Sequence, residues 1–186
     1  MGHEVKLIAP QYVRPFIKRQ KNDAADAEAI VVAAQRPDMR FVEPKTEEQQ
    51  SKAVLFRSRE RLVHHRTELV NALRASLYEF GHAVPQGLQQ VVRIQEILDE
   101  PNCDLPKLLL EECQDVLEQI AWLTVRINTK TSKIRELAAQ AGKARRLQTM
   151  PGVGPLTAAA FDAFAPPMEQ FKSGRDFAAW LGLVPR

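Results

Sequence analysis

The sequence predicts a mainly α-helical protein. It has a small α/β remnant of one strand plus a helix, then long antiparallel coiled-coil helices, then a small helix-hairpin-helix-like domain. Three observations carry this. One strand-like run, Val5-Lys6-Leu7-Ile8-Ala9, precedes an Ala-rich helical stretch. Two long stretches, 46–80 and 105–141, repeat apolar residues at alternating steps of four and three, the seam of a coiled coil. A Pro-Gly-Val-Gly-Pro segment, 151–155, lies between a basic run and an Ala-rich helix.

Val5–Ala9 is ended by Pro10 and is the one convincing strand. A single strand makes no sheet, and even an isolated hairpin is marginal in water. The expectation is that the chain begins inside an α/β domain, with pairing to another chain as the alternative. Residues 10–20 form a basic connection with Tyr12 and Phe16. Asn22 or Asp23 then caps a helix running to about Arg36, where Pro37 stops it. Ala27, Ile30, Val31 and Ala34 follow helical spacing and are expected to pack on the sheet. Phe41–Pro44 reads as a short extended link.

Asp23 and Asp26 lie three apart, so both carboxylates project from one face of the first turn. Two hard oxygen ligands suit Mg²⁺, which takes one or two carboxylates plus substrate phosphate oxygens. Arg14, Lys18, Arg19 and Lys21, just upstream, could hold a phosphate backbone. The plainer reading is that the two acids complement the helix macrodipole.

Thr46 with Gln49 has the form of a capping box, opening a helix that Gly81 ends. Leu55, Leu62, Leu69, Leu73 and Phe80 form its seam, interrupted by Arg59 and Arg66. Its remaining basic residues, among them Arg57, Arg61, His64, His65 and Arg74, read equally as a solvated face or a phosphate-facing one. Residues 84–100 contain Pro85 and Gly87 and then a short helix, which Pro101 and Pro106 break. From 105 to 141 the seam is Leu109, Cys113, Val116, Ile120, Leu123, Ile127, Ile134, Leu137 and Ala141, with Lys130 as the exception and Trp122 read as packing beside it. This helix is expected to end at Gly142 and to pack antiparallel on helix 46–80, with a partner chain as the alternative.

Lys143, Arg145 and Arg146 precede Met150-Pro151-Gly152-Val153-Gly154-Pro155. Gly152 and Gly154 allow a tight hairpin whose amides, at the next helix's start, form an anion site for a nucleic-acid phosphate without base specificity. A plain Gly-Pro turn is the competing reading. A final capped helix within 171–182 ends at Gly182.

The chain has 186 residues, 45% hydrophobic and 26% charged, with a net charge of +3. That suits an ordinary globular protein with a core and is compatible with nucleic acid without requiring it. Cys103 and Cys113 lack CxxC spacing and read as free thiols in a reducing cytoplasm, which gives the expected location. No run reaches the ~18 apolar residues of a membrane span.

The order of motifs resembles the DEDD-type insertion-sequence transposases, recombinases with a RuvC-like N-terminal domain that work with a bridge RNA. The matching elements are the Val5–Pro10 strand, Lys21-Asn22-Asp23-Ala24-Ala25-Asp26-Ala27, the Thr67, Asn71, Leu73-Arg74 portion of the long helix, Met150–Pro155, and Gly174-Arg175 with Ala178–Pro185. The resemblance implies a RuvC-like segment at 1–45, a coiled-coil stalk at 46–142 and the start of a C-terminal transposase domain at 143–186. It makes Asp23 and Asp26 the last two acids of a Mg²⁺-binding catalytic tetrad. It implies DNA transposition or site-specific recombination, with DNA, a guide RNA and a second copy of the chain, joined through the coiled coil, as partners. The family's first Asp, its Glu and a C-terminal Ser have no counterpart here, so the sequence reads as an internal piece, inactive on its own. The alternative is a non-catalytic nucleic-acid-binding module of coiled coil and hairpin.

Overall fold

A computed structural model describes residues 5–17, 22–101 and 103–183. They fall into two compact units, one of residues up to Gln50 with those from Ala165 onward, the other Ser51–Phe164.

In the first unit, β1 (Leu7–Ile8) pairs antiparallel with β2 (Phe41–Val42), Leu7 opposite Val42 and Ile8 opposite Phe41. The segment expected to be an extended link is therefore a strand, and β1 finds its partner within the chain. Of the run Val5–Ala9 read as a strand only Leu7–Ile8 is one, and β2 at two residues is too short for an alternating pattern to register. Between them, α1 (Pro10–Val13) and a 3₁₀ turn at Arg14–Phe16 replace the expected irregular connection; Pro10 starts α1 with its fixed φ. The helix α2 spans Asp23–Ala34. Its cap is Asn22, whose Oδ1 accepts the Ala25 amide at 2.7 Å. The face expected to be buried is not: Ala27, Ile30, Val31 and Ala34 are all exposed, and Ala29 and Ala33 are buried instead. Small side chains on that face let the backbone of α2 pack closely against α1 and the 3₁₀ turn.

Also in this unit, α8 (Gly174–Trp180) is capped by Ser173, whose Oγ accepts the Asp176 amide at 3.3 Å. It ends where the sequence placed its stop. Gly182 takes φ +78° and the Leu183 amide donates to the Ala178 carbonyl at 2.9 Å, the six-to-one bond of a Schellman motif. Phe171, Phe177 and Trp180 form a ring cluster, with centroids 5.2 Å apart for the two phenylalanines and 5.9 Å from Phe171 to Trp180.

The second unit is built on α3 (Glu47–Glu79), whose first turn lies just outside it, and α5 (Lys107–Gln140). Thr46 and Gln49 exchange side-chain-to-amide bonds, both 3.1 Å, so the capping box forms as read. The other end closes with Gly81 at φ +89° and the His82 amide on the Leu77 carbonyl at 3.0 Å. Arg59 Nε donates to Thr131 Oγ1 at 2.9 Å and Arg66 Nη1 to Thr124 Oγ1 at 3.1 Å. Seven residues forward on α3 match seven back on α5, so the helices run antiparallel, as expected. The arginines that break the apolar seam are thus polar rungs across it. Burial, with the like charge of Arg59 nearby, holds the Arg66 guanidinium below its ordinary pKa.

Two cores flank these rungs. One gathers Val70, Leu73 and Leu77 of α3, Ile94 and Leu98 of α4 (Val91–Leu98), and Cys113 and Ile120 of α5. Burial and the charge of Glu112 raise the Cys113 thiol above its usual value, which keeps it neutral in the core. Both cysteines are free. Arg74 fastens the loop after α3, its Nε donating to the Val84 carbonyl at 2.9 Å. Phe80, expected in the seam, is exposed because the Schellman turn carries the chain away after Leu77. Trp122 is also exposed rather than packed, on the outer face of α5 with the Arg126 guanidinium 5.3 Å from its ring.

The second core joins Ile134 and Ala138 of α5 to α6 (Gly142–Leu147) and α7 (Pro155–Phe164) through Ala144, Ala158 and Ala159. Gly142 opens α6 instead of merely closing α5, the break being an extended Ala141 at φ −77°, ψ 119°. Among the described residues no helix is long and apolar enough to cross a membrane.

Candidate functional site

The carboxylate pair sits where the sequence placed it. Asp23 is the first residue of α2 and Asp26 lies one turn on, below the Asn22 cap. Asp23 is exposed and Asp26 half-buried, in line with Ala29 and Ala33 on the inward face. The turn holding Arg14 packs against α2, and Arg14 is exposed. Lys18, Arg19 and Lys21 lie outside the described residues. Among the described residues no group of three or more His, Cys, Asp or Glu side chains converges as a metal site. Two carboxylates on one exposed turn fit part of a divalent-cation shell, not a whole one, since such an ion needs about six ligands.

The hairpin is the better-defined feature. α6 ends with Thr149 donating from both its amide (3.2 Å) and its Oγ1 (2.8 Å) to the Arg146 carbonyl. The Met150 amide donates to the Leu147 carbonyl, and the Val153 amide to the Met150 carbonyl, each at 3.1 Å. Gly152 takes φ +84°, which turns the chain back. Val153 points into the Ile134 core and anchors the loop from below, while Gly152 and Gly154 stay exposed above it. Pro155 then starts α7 at the position that needs no amide donor. Arg145 and Arg146, in the last turn of α6, and Lys143 are exposed. A glycine bend, a helix start behind it and a basic helix before it are therefore one local structure, held by the Ala-rich packing of α7 on α5.

The two glycines differ in a way the sequence does not reveal. A Cβ at either meets nothing within 4 Å, but only Gly152 has positive φ. Gly152→Ala is expected to lower stability by about 1–2 kcal/mol through backbone strain. Gly154→Ala should leave the unfolding midpoint unchanged, as read in a thermal melt of both variants. Gly154→Ala is therefore the clean probe of whether another molecule's backbone approaches there.

Sequence reasoning also left undecided the α3 residues Arg57, Arg61 and His64, which the structure gathers along a groove beside α7. Their i, i+4, i+7 spacing was the available signal, but only the tertiary packing brings α7 alongside.

Fold and hairpin together place the chain among helical proteins carrying a helix-hairpin-helix-like element on a coiled-coil scaffold. Comparison with known proteins is more specific. Residues 1–81 match the DEDD transposase family of the IS110 type, and residues 144–186 match the family described as Transposase IS116/IS110/IS902. The y4pF/y4sB protein of Sinorhizobium fredii is 44% identical over the whole chain, which covers 48% of that relative. The transposase for insertion sequence element IS1328 of Yersinia enterocolitica is 39% identical, again over the whole chain, with 55% of the relative covered. The transposase for insertion sequence element IS1111A of Coxiella burnetii is 35% identical, with 51% covered. No solved structure matches. Segments 1–81 and 144–186 thus carry IS110/IS116-type transposase family domains, in the order the motifs implied. It spans about half the length of the curated relatives it matches.

Proposed function

We propose that this chain serves DNA transposition by a DEDD-type transposase, as the part that binds nucleic-acid backbone and supplies two of the metal-binding carboxylates. In this reading residues 1–45 belong to the RuvC-like domain, 46–142 form the stalk, and 143–186 open the C-terminal transposase domain. The single observation that carries the DNA-binding role is the Pro151–Gly154 hairpin, exposed at the start of α7 behind Arg145 and Arg146. Such a turn offers amides and a helix start to a phosphate and reads no base. Arg14, and by their place in the sequence Lys18, Arg19 and Lys21, would add phosphate contacts.

Asp23 and Asp26 would hold Mg²⁺ together with acids beyond this pair. Bound there, the ion would supply the Lewis acidity that polarises a phosphoryl oxygen. The protein's own contribution is to fix both carboxylates on one turn through the Asn22 cap. A guide RNA and a second copy of the chain complete the proposed assembly; exposed Trp122 and Val125 on the outer face of α5 support the latter.

Because no third metal-binding acid joins the pair among the described residues, the chain alone is expected to leave DNA intact. Incubation of purified protein with plasmid and oligonucleotide DNA in Mg²⁺ should yield no metal-dependent product. Robust cleavage that disappears in Asp23→Ala would show that the two carboxylates suffice, and would overturn this reading of the site.

A further inference from the structure

The second unit contains a groove of about 870 Å³ between α3 and α7. One wall carries Arg57, Arg61 and His64, all exposed. The other is the first two turns of α7, with Thr157 at the rim and Leu156 and Ala160 below it, and Phe164 further along. The Arg57 guanidinium lies 5.8 Å from the Phe164 ring, so the cationic wall and the aromatic floor meet. Glu60 is the one acid among the groove's described lining residues, and it is paired at 2.5 Å with Arg59. Among the described residues no ion pair neutralises Arg57 or Arg61. A positively charged wall beside an apolar floor fits a strand that offers phosphates and an unstacked base at once. A duplex would satisfy the cations but leave the floor uncovered. Leu156 and Thr157 follow Gly154 by two and three residues, so the groove begins where the proposed phosphate hairpin ends.

We propose that the α3–α7 groove binds a single nucleic-acid strand, with phosphates along Arg57, Arg61 and His64 and a base against Leu156, Ala160 and Phe164. This rests on the nucleic-acid reading above and extends it to a strand-selective site. The shared chemistry is a phosphodiester single strand, DNA or RNA.

The test is fluorescence anisotropy of the full chain with labelled DNA and RNA single strands of about 16 nucleotides, an upper size for one compact single-strand site. A DNA duplex of the same sequence is run alongside, each at two salt concentrations. The variants are Arg57→Gln/Arg61→Gln on one wall, Thr157→Glu on the other, and Arg135→Gln on the exposed face of α5 as a control. Circular dichroism checks that each stays folded. Single strands should bind more tightly than the duplex. Both groove variants should lose at least about tenfold, while the control is unchanged. For the double variant the log–log salt slope should fall by about 1.4, two phosphate contacts at ~0.7 each. A preference for DNA or for RNA supports the proposal and names the source. Undiminished single-strand binding in the groove variants overturns it while leaving the nucleic-acid reading intact. Equal or tighter duplex binding overturns strand selection. Displacement by polyglutamate as effective as by oligonucleotide would make the groove an acidic-peptide site instead. No binding of any nucleic acid by the wild type would overturn the underlying reading itself.

Discussion

Leu77→Ala should lower the unfolding free energy of the Ser51–Phe164 unit by about 3 kcal/mol, within the ~2–5 kcal/mol range for such truncations. Leu77 is fully buried where α3, α4 and α5 meet, among Leu73, Ile94 and Cys113. Its carbonyl also accepts the His82 amide that closes α3, so the surrounding backbone is pinned and little collapse can fill the cavity. Urea unfolding followed at 222 nm would give the change as a shift in midpoint at constant slope. Phe80→Ala, three residues on and outside the core, should cost well under half as much. Equal losses in the two variants would mean that the seam runs through Phe80, as the heptad pattern alone suggests.

The second large effect is expected at Asp162. Lys52 Nζ and Asp162 Oδ2 are 2.5 Å apart, with side chains only 16% and 17% exposed. The pair ties the start of α3 to α7 beside Ile134 and Ala138. Asp162→Ala removes this carboxylate from beside a shielded ammonium and should destabilise by about 2–3 kcal/mol, somewhat less than for a fully buried pair. Lys52→Met/Asp162→Leu, which removes both charges and puts apolar side chains of similar branching in their place, should recover most of that loss. A double variant no better than the single one would show that the pair contributes net attraction and not merely mutual neutralisation.

These two sites mark what the sequence reveals and what it hides. Ends of helices are local events, and their chemistry was legible: the Thr46–Gln49 box, Gly81, Gly182 and the hairpin glycines all act within a few residues of themselves. The α5 seam was legible because Cys113, Ile120, Leu123, Ile127 and Ile134 obey one period over a long helix. The inward face of α2 was not. Its Ile30-Val31-Val32 run outranks Ala29 and Ala33 on any hydrophobic scale, yet close packing on α1 selects the small residues. The pairing of β1 with β2 was hidden because a two-residue strand such as Phe41–Val42 carries no pattern. The Lys52–Asp162 contact joins positions 110 apart, which no local rule connects. At the site, Asp23, Asp26 and the hairpin were visible as spacing, whereas the α3–α7 groove exists only after α7 has docked.

The most direct test of nucleic-acid backbone binding at the hairpin is DNA affinity measured at two salt concentrations for the wild type and Gly154→Ala. The wild type should weaken steeply with salt, by roughly 0.9 log units per phosphate contact for each log unit of salt. Gly154→Ala should bind several-fold more weakly with an unchanged melting temperature. Salt-insensitive binding, or full affinity in a normally folded Gly154→Ala protein, would contradict the role assigned to the hairpin.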